Sequence, residues 1–125
     1  VLVTSAPALM RNSVATLLAS PRGAWAAEHP LVAHPPHGPG DLAAALLTDQ
    51  LLAGHADPAA LERTAAGCFE IVARSAKAGA DELVLIAEQD RLPRPIAMVQ
   101  MRRVAESGAS ASPPLSARIA TKLVL

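Results

Sequence analysis

The chain has 125 residues, 51% of them hydrophobic and 18% charged, with eleven basic side chains balanced by eleven acidic ones. That length suits one hydrophobic core, and the apolar content excludes a wholly disordered chain. The missing basic surplus excludes binding to a phosphate backbone, and two aromatic residues, Trp25 and Phe69, are too few for a single-strand stacking platform.

In chain order, residues 1–3 form an apolar run that leads into Thr4-Ser5-Ala6-Pro7 and predict a buried strand entering a loop. Residues 13–19 predict a second strand, stopped by the turn cluster Ser20-Pro21-Arg22-Gly23. Residues 24–32 make a third, so a local β-meander is expected. Residues 34–40 hold Pro35, Pro36 and Pro39, which lack backbone donors, and must form a loop.

Helical periodicity then begins. Leu42, Leu46, Leu47, Leu51 and Leu52 recur near every 3.6 residues, predicting a helix over 41–53 closed by Gly54. Asp57-Pro58 predicts the next helix, with Asp57 as N-cap and Pro58 in the first helical position. It should run to about residue 78 with Gly79 beyond it, burying Leu61, Ala65, Cys68, Val72 and Ala76 and turning Glu62, Arg63, Arg74 and Lys77 outward. Residues 82–87 are a short apolar run suited to a strand or one helical turn. Residues 1–104 are taken as the folded part, and 105–125, rich in Ala, Ser and Pro, as a flexible tail whose end, 119–125, docks again.

The single Cys68 can form neither an internal disulfide nor a multi-cysteine zinc site, which fits a reducing, cytoplasmic setting. Its place on the helix stripe reads as a small core residue. No apolar stretch approaches the roughly 20 residues of a membrane span. His29, His34 and His37 lack the spacing of a metal site and read as solvated, so no metal ligand is assigned. Arg102-Arg103 reads as a solvated pair and Trp25 as packing. The first residue, Val1, fits either a processed start or the later part of a longer chain.

Gly38-Pro39-Gly40-Asp41 is where chemistry is expected. A helix start presents unpaired N–H groups and a partial positive charge, and glycines let an anion approach the backbone. A carboxylate there repels a phosphate unless it takes a proton from an attacking hydroxyl, the combination a small-molecule kinase needs. The plain alternative is a Gly/Pro turn with Asp41 as an ordinary N-cap.

Residues 38–95 resemble the C-terminal half of bacterial pyridoxal kinases, members of the ribokinase-like superfamily. Gly38-Pro39-Gly40-Asp41-Leu42 is similar to the superfamily's Gly-x-Gly-Asp signature. Asp81-Glu82-Leu83-Val84-Leu85-Ile86-Ala87-Glu88-Gln89-Asp90 with Pro95 is similar to the closing segment that narrows the match. Val1-Leu2-Val3-Thr4-Ser5 and Pro30-Leu31-Val32 also fit.

The resemblance implies an α/β fold in which a short meander and two helices pack on a mostly parallel sheet, incomplete within this chain. It implies ATP-dependent phosphorylation of the 5′-hydroxymethyl of pyridoxal with Mg²⁺, in vitamin B6 salvage, and a homodimer in the full-length form. Asp41 would be the catalytic base and contact the substrate. Gly38 and Gly40 would form the anion hole, and Thr4, His29, Pro30, Leu31 and Val32 would contact ATP. Pro39, lacking an N–H, removes one donor from that hole. Two other readings are a non-catalytic truncated remnant and a related kinase acting on a hydroxymethylpyrimidine or sugar.

Overall fold

A computed structural model describes residues 1–92, 94–106 and 123–124. Its sheet is built from β1 (Leu2–Pro7), β2 (Ser13–Ser20), β3 (Gly23–Pro30), β4 (Gln100–Ala105) and β5 (Leu123–Val124), in spatial order β4-β3-β2-β1-β5. The expected meander is present as β1-β2-β3. Ser20 pairs with Gly23 across the two-residue turn Pro21-Arg22, and so tight a link permits only antiparallel neighbours. Gly23 has φ 143°, and a Cβ there would lie 2.9 Å from the Ala105 carbonyl oxygen, so the close approach of β4 requires glycine.

The mostly parallel sheet expected to receive the helices is not what these strands build. Among the described residues only β1 and β5 run parallel; the other three pairs are antiparallel. The reason is connection length, since parallel neighbours need a crossover of about a dozen residues that no link within the meander supplies. β1 also runs past Val3, where a loop was expected. Its register with β2 slips between Val3 and Ala6, and Ser5 sits there at φ 58°. Most of the expected tail, residues 107–122 and 125, lies outside the described residues, while β4 extends through Ala105 and β5 pairs with β1.

Two helices cover one face of the sheet: α1 (Pro39–Leu52) and α2 (Asp57–Lys77). Side-chain alternation decides which face. Val14, Thr16 and Leu18 of β2 pair with His29, Ala27 and Trp25 of β3, and Leu18 and Ala27 join Leu2, Ala43, Leu47, Ala60, Leu61 and Ala65 in the core. With few rings available, alanine and glycine allow close packing: a Cβ on Gly67 of α2 would stand 3.2 Å from Leu46 Cδ1 of α1. Burial on α2 is broader than the expected stripe, adding Thr64, Glu70, Ile71 and Ser75, while Cys68 and Ala76 are half-buried.

Both helices begin differently from expectation. α1 starts at Pro39 with Gly38 as N-cap, so Asp41 lies inside the first turn. α2 starts at Asp57 with Ala56 as N-cap, because the Asp57 carboxylate turns to Ser20 Oγ and to Arg22 Nε, 3.4 Å away. Beyond α2, a single turn α3 (Leu85–Glu88) runs into a 3₁₀ turn, Gln89–Arg91. Among the described residues no helix is long and apolar enough to cross a membrane.

On the sheet's other face, Ala15 and Ala26 are fully buried beside Glu28, whose Oε1 accepts from the Leu9 N–H at 3.3 Å and from Arg102 Nη2 at 3.1 Å. On the helix-covered face, Arg103 places its guanidinium 5.7 Å from the Trp25 ring centroid and pairs with Glu106 at 3.1 Å. The two arginines are therefore engaged on separate partners, where a solvated pair was expected.

Candidate functional site

A cavity of about 880 Å³ opens where the N-terminus of α1 meets the sheet and α2. β1 contributes Thr4 and Ser5, β2 Val14 and Thr16, and β3 His29. The following loop adds Leu31, Val32, Pro35, Pro36, His37 and Gly38, and α1 adds Pro39, Gly40, Asp41 and Ala43. α2 closes the wall with Thr64, Ala65, Cys68, Phe69 and Val72. Residues implied by the resemblance and separated by up to 37 positions thus come together; Pro30 does not line the cavity.

The α1 start is a donor site by construction. Gly38 adopts φ 102°, which directs the chain from the proline-rich loop into the helix, and no side chain caps it. Pro39 offers no N–H, and the Leu42 N–H reaches the Gly38 carbonyl at 3.3 Å, leaving the Gly40 and Asp41 amides as the free donors of the first turn. The plain reading of Asp41 as an N-cap fails on geometry, since Gly38 holds that position. Instead the Asp41 carboxylate is exposed and has no hydrogen bond or ion pair among the described residues. Negative charge in the first turn is favoured by the helix dipole.

The loop that delivers this turn is braced from below. The His37 N–H donates to the Asp81 carbonyl at 2.9 Å, His37 bridges to Glu82, and Gly38 faces Leu83. Ser75 Oγ then accepts the Val84 N–H at 3.0 Å while donating to the Ile71 carbonyl at 2.7 Å. The segment that carried much of the resemblance therefore supports the glycine loop physically.

Sequence reasoning missed much of the apolar wall. Phe69 stacks on His29 with ring centroids 4.7 Å apart and 28° between planes, joining α2 to β3. His29 thus lies in the expected third strand but touches a ring, where a solvated position was expected. The available signal was the scarcity of rings, which makes a helical Phe worth placing. Cys68 lies beside it, and burial pushes its thiol up to about 12, so it remains protonated at neutral pH and is no nucleophile. Among the described residues, no three His, Cys, Asp or Glu side chains gather as a metal site.

Comparison with solved structures places the fold. The chain superposes with TM-score 0.68 on a putative phosphomethylpyrimidine kinase from Bacteroides thetaiotaomicron, at 20% identity, over 82% of this chain and 37% of that one. The chain thus shares the α/β fold of that structure over part of its length. No family model matches the sequence.

Curated sequences narrow the likeness to pyridoxal kinases. Pyridoxal kinase PdxY of Rubrobacter xylanophilus is 36% identical over 89 residues, 71% of this chain and 31% of the relative. That of Corynebacterium diphtheriae is 29% identical over 107 residues, 84% and 38%. That of Pseudomonas savastanoi pv. phaseolicola is 37% identical over 81 residues, 63% and 28%. The resemblance read from the motifs therefore holds over most of the chain, which spans about a third of the length of these relatives.

Proposed function

We propose that this chain supplies the phosphate-handling and nucleotide-contacting part of a pyridoxal kinase, which transfers the γ-phosphoryl of ATP to the 5′-hydroxymethyl of pyridoxal. The observation that carries the reading is the single cavity uniting an unpartnered carboxylate, Asp41, with the free amides of a helix start. Phosphoryl transfer asks for little covalent chemistry from a protein; it needs positioning and stabilisation of charge.

In this reading the Asp41 carboxylate accepts the proton of the attacking hydroxyl as its oxygen bonds phosphorus and the bond from phosphorus to the ADP oxygen breaks. The Gly40 and Asp41 amides hold the equatorial oxygens, and Gly38 gives the loop the turn that lets them converge. Thr4, His29, Leu31 and Val32 contact the nucleotide from the sheet and loop. Among the described residues Asp41 is the sole carboxylate on the cavity wall, so a Mg²⁺ would arrive with ATP and would not be held by a carboxylate cage. The ion supplies charge neutralisation on the phosphates.

Asp41→Asn in the full chain tests this. With ATP and pyridoxal, turnover should fall by roughly 100- to 10,000-fold, while ATP affinity by calorimetry and the thermal midpoint stay near the parent values. Parent-like turnover would overturn the assignment of the base. A parent chain that turns over a hydroxymethylpyrimidine or a sugar in preference to pyridoxal would move the substrate and leave the site.

A further inference from the structure

The hydroxyls on the two long helices behave unequally. Thr48 Oγ1 donates to the Ala44 carbonyl at 2.8 Å and Ser75 Oγ to the Ile71 carbonyl at 2.7 Å, the usual bonds of a helical hydroxyl to the preceding turn. Thr64 breaks this pattern. It is 1% exposed, and its Oγ1 has no hydrogen-bond partner among the described residues. A buried hydroxyl left unpaired costs stability, so its presence needs a reason. Thr64 is also the one of these three that lines the cavity.

Its position along α2 narrows that reason. Gly38 faces Leu83, and the adjacent Val84 is tied to Ser75, so the phosphate-handling start of α1 sits at the Ser75 end of α2. Thr64 precedes Ser75 by about three helical turns, roughly 16 Å along the axis. Between them the α2 wall is apolar, made of Ala65, Cys68, Phe69 and Val72. The α2 side of the cavity therefore runs from the amides of the α1 start, past apolar side chains, to a hydroxyl that, unlike those of Thr4, Ser5 and Thr16 on the sheet side, is buried without a partner among the described residues. That sequence of environments matches a nucleotide: charged phosphates, then a base with apolar faces and a polar edge.

We propose that Thr64 is a specificity-determining residue whose hydroxyl hydrogen-bonds the polar edge of the nucleobase, directly or through one water. The inference rests on the nucleotide-dependent reading above. A hydroxyl both donates and accepts, so it can serve either kind of base-edge group. In the free protein the unpaired hydroxyl costs stability, and the bound base removes that cost.

Thr64→Val tests this by deleting the hydroxyl at nearly constant shape, with Thr64→Ser as the variant that retains it. Calorimetric titrations of the full chain would use ATP and, separately, inorganic tripolyphosphate, which has no base. Thr64→Val should weaken ATP about five- to tenfold, leave tripolyphosphate unchanged, and raise the ligand-free melting temperature by several degrees. Thr64→Ser should keep ATP affinity near the parent value. ATP binding by Thr64→Val as tight as the parent's would overturn the proposal and leave the functional reading standing. Equal weakening of both ligands, or a lower melting temperature for Thr64→Val, would also overturn it. A parent chain that binds neither ligand would overturn the functional reading along with it.

Discussion

The two long helices start with nearly the same device and use it for opposite ends. Each has a proline in its first two positions and an aspartate in its first turn, with no side-chain cap. At α2 the aspartate is buried, 5% exposed, and held by Ser20 and Arg22 from the β2–β3 hairpin. At α1 it stands exposed on a cavity wall without a partner among the described residues. A carboxylate already committed to two donors fixes a hairpin onto a helix; the one left exposed beside the α1 amides is, in the proposed reading, the proton acceptor. The difference lies in what the chain brings nearby, because the local sequence at both starts satisfies the same helix rules.

Exchanging each aspartate for asparagine should separate these roles. Asp41→Asn carries the largest effect expected here, the loss of turnover described above with the fold intact. Asp57→Asn should leave the chemistry of the folded fraction alone and lower the thermal midpoint. Asp57→Ala goes further, stranding the Ser20 hydroxyl, and should cost about 1–3 kcal/mol in a denaturant titration. Most of that loss should come from the buried hydrogen bond, since Arg22 is 72% exposed and its ion pair is screened. An Asp57→Ala protein as stable as the parent would remove the contrast between the two helix starts.

A smaller change sharpens the α1 side. Gly38→Ala places a Cβ 3.6 Å from Leu83 Cδ1, an ordinary contact, so sterics alone permit it. The backbone does not, because φ 102° disfavours any residue with a Cβ. The expected cost is about 1 kcal/mol or somewhat more, measured by thermal unfolding. Turnover should fall by more than that stability loss explains, because the amides of Gly40 and Asp41 would be turned from their common focus. A change in stability without one in turnover would show that the loop's conformation does not shape the anion site.

What the sequence discloses of this contrast is the pair of helix starts and the small set of residues that could carry chemistry. Gly38-Pro39-Gly40-Asp41 is contiguous, so local rules locate it, and the resemblance ranks Asp41 above other carboxylates. The fate of Asp57 is hidden because Ser20 and Arg22 reach it from a hairpin more than thirty positions earlier, and a cap was the sensible local reading. Arg102 and Arg103 were misread for the same reason: the pairing of β3 with β4 puts Glu28 and Trp25 under them across more than seventy positions. Thr64 and Phe69 were hidden differently. Both lie on a helix buried nearly all round, and periodicity cannot tell a core position from a cavity wall when both exclude water.

Glu28 completes the comparison as a third carboxylate, neither free nor at a helix start. Donation from the Leu9 N–H, followed by the hydrogen bond from Arg102, holds its carboxyl below the usual value of 4.5 despite the opposing effect of burial. The folded form therefore binds this proton less readily than the unfolded chain does. Its contribution to stability is fully present above the unfolded value and is lost as pH falls through the lowered one. Denaturant midpoints measured from neutral pH downward should decline below about pH 4.5, and the decline should be shallower in Glu28→Gln, which has no proton to gain. The same titration on Asp57→Asn should keep the parent's Glu28-dependent component, because the latch lies at the far end of β2 and β3 from Glu28. Matching acid profiles for parent and Glu28→Gln would mean that the hydrogen bonds from Leu9 and Arg102 to the carboxylate under β4 add nothing to the folded state.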